Sequence, residues 1–191
     1  VSTARLHLRL FAEPTRRGDT VLGSTLCAQC PHSPAGCCVA PPRYDWSDLA
    51  RVVRHGHGAW LRARIAAGEL RANEHGLTIH RPARRLSEDR GAPRLARCAF
   101  HEGRTGCTID ETQRPATCNY YLCEQALEAA DDADGAARAR EVHDDLVTDF
   151  VRRDEALARR VRERLQGEPG DEPYSESFFA WLEAEDAALL R

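Results

Sequence analysis

The sequence predicts a mainly α protein with irregular cysteine-rich loops and at most a small two-stranded β element. Three observations carry that expectation. Apolar residues after position 123 recur at helical spacing, only two short stretches read as strands, and both groups of cysteines sit among prolines and glycines, which interrupt regular structure.

Residues 4–11 alternate, with Leu6, Leu8 and Leu10 on one side and Arg5, His7 and Arg9 on the other, the period of a half-buried strand. Pro14, Gly18 and Gly23 mark turns towards Cys27, and Pro31, Pro34 and Gly36 exclude a helix between Cys30 and Cys37. Ser47 followed by Asp48 reads as an N-cap with a first-turn acid. Leu49, Val52, Val53 and Trp60 then supply the apolar face of a helix running towards Ala67. The His55-Gly56-His57-Gly58 run is expected to divide that helix. Residues 77–80 are expected to form a second strand pairing with the first, and the arginine-rich stretch 81–97, broken by Pro82 and Pro93, a connecting loop.

Beyond Cys123, Leu127 begins a helical pattern in which Val142, Leu146, Phe150, Leu157, Val161 and Leu165 recur at spacings of four or seven, with Gly135 expected to separate two helices. Residues 167–173 form a linker rich in glycine, proline and acid. Ser175 or Ser177 caps a last helix whose Phe178, Trp181, Leu182 and Leu189 dock on the core. The expected organisation is a cysteine-cluster domain over residues 1–125 with a C-terminal helical segment, 126–191, packing on it.

At 191 residues the chain can bury a core without staples, so small size does not explain its eight cysteines. Their density is below that of a secreted disulfide scaffold, and no N-terminal apolar run reads as a signal peptide, so a cytoplasmic protein with reduced thiols is expected. No stretch approaches the roughly 18–20 apolar residues needed to span a bilayer. The net charge of −3 argues against a generally cationic nucleic-acid binder. Arg81, Arg84, Arg85, Arg90, Arg94 and Arg97 do cluster, but Glu88 and Asp89 oppose them. Tight nucleic-acid binding is therefore not expected.

The cysteines fall in two groups, Cys27, Cys30, Cys37 and Cys38, then Cys98, Cys107, Cys118 and Cys123, which together use every cysteine in the chain. Thiolate is a soft ligand that suits zinc, iron and iron–sulfur clusters and suits calcium or magnesium poorly. The C-x-x-C spacing of Cys27 and Cys30 lets two sulfurs converge on one centre. Cys37 and Cys38 are adjacent, and on an extended backbone their side chains point apart. Either they serve two metal atoms, or one is a ligand and the other a neighbouring thiol. Eight thiolates fill two four-cysteine sites, whereas a 4Fe-4S cluster needs four. Four thiolates around a dipositive centre leave a charge of about −2. Arg97, Arg104 and Arg114 lie where they could offset it, and Arg114, ahead of Pro115, is favoured as a donor to sulfur. A site built on His55 and His57 needs a turn, since two residues two apart share no helical face; a solvated break is preferred. The two cysteine groups are expected to converge in space and share one metal chemistry, since closing the long loop between them costs little beside what a thiolate–metal site returns.

The pattern Cys27-x-x-Cys30, Cys37-Cys38, Cys98-Ala99-Phe100, Cys107-Thr108-Ile109, Arg114-Pro115, Cys118 and Cys123 resembles the YkgJ-type cysteine-cluster family, a zinc- or iron-chelating domain. Flagellin lysine N-methylases carry a similar cluster, and that resemblance implies an iron–sulfur centre and methyl transfer. The chain departs from the pattern at Asp110, where an aromatic is frequent, and at Asn119, where arginine is. The resemblance places an iron–sulfur cluster or iron ahead of Zn2+, and a possible metalloenzyme ahead of a structural zinc module that binds a protein partner. The polar residues nearest the cysteines in sequence are His32, His101, Glu102, Asp110, Tyr120 and Tyr121. None has a partner at diagnostic spacing, so no catalytic residue or substrate is assigned.

Overall fold

The structure is a computed structural model and describes residues 8–11, 21–24, 36–85, 94–102, 106–128, 133–167 and 172–190. Cys27, Cys30 and His32 lie outside the described residues. The chain is mainly α, as its periodicity predicts. Its helices are α1 (Trp46–Arg54), α2 (Gly58–Ala66), α3 (Ala116–Tyr120), α4 (Glu124–Glu128), α5 (Ala133–Gly167) and α6 (Glu176–Leu189), with a 3-10 turn over Gly36–Val39.

Strand pairing differs from the expectation. Among the described residues there are four separate two-stranded antiparallel ladders, each as small as the one anticipated: β1 (Leu8–Phe11) with β2 (Val21–Ser24), β3 (Leu70–Asn73) with β4 (Gly76–Ile79), β5 (Ala83–Arg85) with β6 (Arg94–Ala96), and β7 (His101–Glu102) with β8 (Gly106–Cys107). The two strands read from the sequence both exist, but each finds a partner close to it in the chain. Local pairing closes a shorter loop and loses less conformational entropy than a long-range ladder. The stretch expected as a connecting loop likewise folds back on itself, Ala83 opposite Ala96, with the Arg94 side chain donating twice to the Ala83 carbonyl at 3.1 and 2.8 Å.

The helix break at His55–Gly58 falls where expected: Gly56 takes a φ of 85°, open to glycine at no steric cost, and α2 starts two residues later. The N-cap of α1 is Asp45 rather than Ser47. Asp48 is the third residue of the helix, and its Oδ2 accepts from the Asp45 N–H at 3.2 Å, so the acid read as a first-turn charge closes the cap from inside. The Ser47 N–H donates to Asp154 Oδ1 at 3.1 Å, so α5 also caps α1. No break occurs at Gly135: α5 runs through it for 35 residues. One glycine near a helix start costs only about 1 kcal/mol relative to alanine, too little to end a helix of this length. Ser175 caps α6 as anticipated, its Oγ accepting from the Phe178 N–H at 3.1 Å.

The main core gathers Trp46, Leu49 and Val52 of α1, Leu61 of α2, Leu70, Leu77 and Ile79 of the β3–β4 hairpin, Leu157 and Val161 of α5, and Phe178, Phe179 and Leu182 of α6. A smaller cluster joins Ala116 and Tyr120 of α3 to Phe150 of α5. Tyr44 is fully buried and bridges to β4 by paired backbone bonds with Leu77, 2.8 and 2.9 Å. That approach requires Gly76, at φ 129°, because a Cβ there would lie 2.2 Å from the Tyr44 carbonyl oxygen. No helix among the described residues is long and apolar enough to cross a membrane.

Asp186 of α6 is fully buried between two arginines, Arg54 Nη1 of α1 at 2.5 Å and Arg153 Nη2 of α5 at 2.7 Å. One acid thus ties three helices, and its removal takes the shared buried counter-ion from Arg54 and Arg153, leaving Arg153 the more distant Asp149 at 3.7 Å. Asp186→Asn is expected to lower the unfolding free energy by roughly 3–5 kcal/mol, the range for breaking a buried ion pair. Urea denaturation of the two proteins measures this; a loss below 1 kcal/mol would show the carboxylate charge to be dispensable.

Candidate metal centre

Cys37 and Cys38 lie on the 3-10 turn, not on extended backbone, which corrects the geometry expected for them. Gly36 enters the turn with φ 52°, and the Ala40 N–H closes it on the Cys37 carbonyl at 3.0 Å. On so tight a turn neighbouring side chains no longer oppose each other, and the two thiols are hydrogen-bonded. The next link joins the two cysteine groups directly: the Cys98 N–H donates to the Cys38 carbonyl at 2.8 Å, and Ala99 N–H to the His80 carbonyl at 3.0 Å. Cys98 is buried, and Cys38 is half-buried against the same core.

Cys107 ends the β7–β8 ladder, opposite His101. Its position is braced from the following residue, since both the N–H and the hydroxyl of Thr108 donate to the Phe100 carbonyl, at 2.8 and 3.0 Å. Cys118 sits in the first turn of α3, its N–H bonded to the Pro115 carbonyl at 2.9 Å. Cys123 immediately precedes α4 and gives its carbonyl to the N–H groups of Ala126 and Leu127. All six described cysteines are thiols rather than disulfides.

Five of these thiols act on one another electrostatically. The hydrogen bond from Cys38 holds the Cys37 thiol down to about 6 against the opposing effect of burial. The same bond pushes Cys38 far up, and burial and the charges of Cys37, Cys98 and Cys118 push further. Burial foremost, then Cys107, Cys98, Asp48 and Cys37, raises Cys118, a residue open to solvent on one side and crowded by these groups on the other. Deprotonating several of these sulfurs together therefore requires a positive charge among them. In donor chemistry they suit a soft, thiophilic cation. They do not form a finished coordination shell: no three His, Cys, Asp or Glu side chains among the described residues stand as a metal-binding group.

The segment between Cys107 and Cys118 is held from beneath by the start of α1. Asp48, 4 % exposed, accepts at Oδ1 from the Ala116 N–H at 2.6 Å. Arg51, 3 % exposed, donates to the carbonyls of Arg114 and, at 3.5 Å, Glu111. The Tyr44 hydroxyl donates to the Gln113 carbonyl at 2.7 Å, and Asn119 Nδ2 to the Glu111 carbonyl at 2.7 Å. Burial raises the Asp48 carboxyl to about 6, against the Arg51 charge and the two N–H groups that favour its ionised form. Arg114, expected to reach a sulfur, donates its Nε to the Ile109 carbonyl at 2.9 Å and so braces the loop through its backbone. Tyr44, Asp48 and Arg51 were not singled out as functional from the sequence. Asp48 and Arg51 are three apart, which signals a shared helical face, but only burial distinguishes that face from a solvated one.

Of the other described polar candidates, His57 and Asp110 meet at the Thr112 hydroxyl. His101 is buried on β7 and Glu102 exposed beside it. Asp110 forms a turn, its Oδ1 accepting from the Thr112 N–H at 2.9 Å and hydroxyl at 2.6 Å; these bonds lower its carboxyl. His57 reaches the Thr112 hydroxyl at 2.9 Å. The Tyr120 hydroxyl pairs with Thr117 at 3.1 Å, and Tyr121 is 46 % exposed.

The Cys37–Cys38 bond carries a pH signature. In the reduced, metal-free chain, Cys37 is expected to alkylate before Cys38, with a rate that rises through a midpoint near pH 6, because the thiolate is the nucleophile. Replacing the donor, Cys38→Ala, should move that midpoint up towards an ordinary thiol. Mass spectrometry after iodoacetamide pulses across pH 5–9, on the order of a unit apart, follows both sites around the usual thiol range. An unchanged midpoint in Cys38→Ala would refute the assignment. No family model, curated protein or solved structure matches the chain.

Proposed function

We propose that this chain is a cysteine-ligated metal-binding protein that holds an iron–sulfur cluster or iron through donors from both cysteine groups, with Zn2+ in a structural module as the alternative. The observation that carries the reading is the direct bond between the groups, Cys98 N–H to Cys38 carbonyl at 2.8 Å, with the thiols of Cys37, Cys38, Cys98, Cys107 and Cys118 in mutual electrostatic reach. A further support is β2, which lies beside α3, the helix that carries Cys118. Cys27, Cys30 and Cys123 complete the proposed donor set. A bound cluster would supply one-electron chemistry at a potential tuned by hydrogen bonds to sulfur, whereas zinc would act as a tie between the groups.

In this reading residues 1–125 form the metal-binding domain and residues 126–191 its helical support, in a reducing, cytoplasmic setting. The partner is the metal ion or cluster. No membrane association and no tight nucleic-acid binding belong to it, and no side chain is given a catalytic role.

Protein purified without oxygen decides the question. Broad visible absorption with iron and acid-labile sulfide is expected; a colourless protein with stoichiometric zinc selects the structural alternative, and a chain with neither metal overturns the proposal. Convergence has its own check: Cys27→Ser with Cys30→Ser should disturb the metal held near Cys98–Cys118. Full metal content and the native spectrum in a fragment starting after residue 80 would make the groups independent sites.

A further inference from the structure

We infer that Tyr44, Asp48 and Arg51 are positioning residues of the proposed metal centre: the N-terminal end of α1 grips the backbone between Cys107 and Cys118 and so sets where the Cys118 sulfur stands relative to the other thiols. The inference rests on the metal-binding reading above and names the side chains that give the site its geometry.

The loop itself explains why a grip is needed. Glu111, Thr112, Gln113 and Arg114 offer little apolar surface, so hydrophobic burial cannot hold this stretch in place. Its backbone is held by polar groups instead. Asp48 takes the N–H of Ala116, the first residue of α3, and Arg51 and Tyr44 supply donors to the carbonyls of Arg114, Glu111 and Gln113. The acid therefore fixes the start of the helix that carries Cys118, while the base and the phenol fix the approach to it. Cys107 and Cys98 are fixed by other means, the β7–β8 ladder and the bond to Cys38. Of the described donors on this side of the site, Cys118 is the one whose place depends on α1.

A buried charge pair that only stabilised the fold could be replaced by apolar residues of similar volume at little loss. Asp48 and Arg51 cannot be exchanged that way, because each reads a particular backbone group of the loop. They hold the backbone beside a proposed ligand rather than the ligand itself, and are expected to act in the range of outer-shell partners, whose mutation weakens metal binding by about 10- to 100-fold.

The test compares Tyr44→Phe and Arg51→Lys with the parent, each as the full chain isolated without oxygen, with Ser175→Ala, which removes the N-cap of α6 and no bond to α1, as a control for general stability. Helical circular dichroism, amide hydrogen exchange over residues 111–118, iron and zinc per chain, and the rate of metal loss to excess EDTA are measured. Both grip variants should keep the helical signal, exchange faster in that segment and lose metal about 10- to 100-fold faster, whereas Ser175→Ala should release metal at the parental rate. Folded grip variants that release metal within about twofold of the parent, well short of the outer-shell range, overturn the inference alone. Equal acceleration in Ser175→Ala also overturns it, since general stability would then govern release. Should Arg51→Lys lose its helical signal, Tyr44→Phe, which removes one hydroxyl, decides by the same criterion. A parent with no metal overturns the proposed function and takes this inference with it.

Discussion

A polar loop held by buried charge is the constraint on which the cysteine site depends. Asp48 and Arg51 are nearly removed from solvent, and leaving such groups unpaired costs several kcal/mol each. They are kept because the Glu111–Ala116 backbone supplies what they need: an N–H for the carboxylate, carbonyls for the guanidinium. The dependence is mutual. Without α1 the loop has no apolar reason to settle, and without the loop α1 buries two charges against a single turn of helix.

The thiols pose the same problem in a sharper form. Cys38 and Cys118 are both pushed up by burial and by their neighbours, while Cys37 is brought down by a hydrogen bond that Cys38 can give only while it keeps its own proton. In the metal-free chain Cys38 and Cys118 are therefore held towards their protonated forms. A cation among the sulfurs would reverse that balance, since its charge opposes their repulsion and favours release of the protons. Sequence composition could suggest soft ligands; the coupling between them follows only from their placement.

What the sequence made legible was periodicity and punctuation. The spacing of Leu157 and Val161, the division at Gly56 and the cap at Ser175 are all local facts, and the structure keeps each of them. What it left dark were choices between near-equal local options. Asp45 and Ser47 are both competent caps, and Asp48 settles the matter by bonding the N–H of Asp45. Gly135 is a weak helix former, but one such residue cannot outweigh the rest of a 35-residue helix. The strand in residues 77–80 was visible, but its partner depended on turn closure at Gly76. At the site, the eight cysteines were legible as chemistry, and the 3-10 geometry of Cys37 and Cys38 was not, because Gly36 and Pro34 exclude a long helix without saying which short turn replaces it.

The division of labour between core and site follows from the same arrangement. The main core draws on α1, α2, α5, α6 and the β3–β4 hairpin, and among the described cysteines only Cys98 is buried within it, with Cys38 packed at its edge. The helices therefore have their own apolar reason to assemble, unlike a small zinc domain whose folding free energy is largely its metal affinity. Metal bound by the thiols would act on the periphery of a structure already formed, selecting among positions of the 3-10 turn, the β7–β8 ladder and α3. The scaffold's contribution is then to limit how far those three elements can wander: Cys38 is fastened to Cys98 through the backbone, Cys107 to Phe100 through Thr108, and Cys118 to α1 through Asp48. Each tether ends within two residues of a sulfur, close enough to restrict the thiol while leaving its last torsion free to meet a metal.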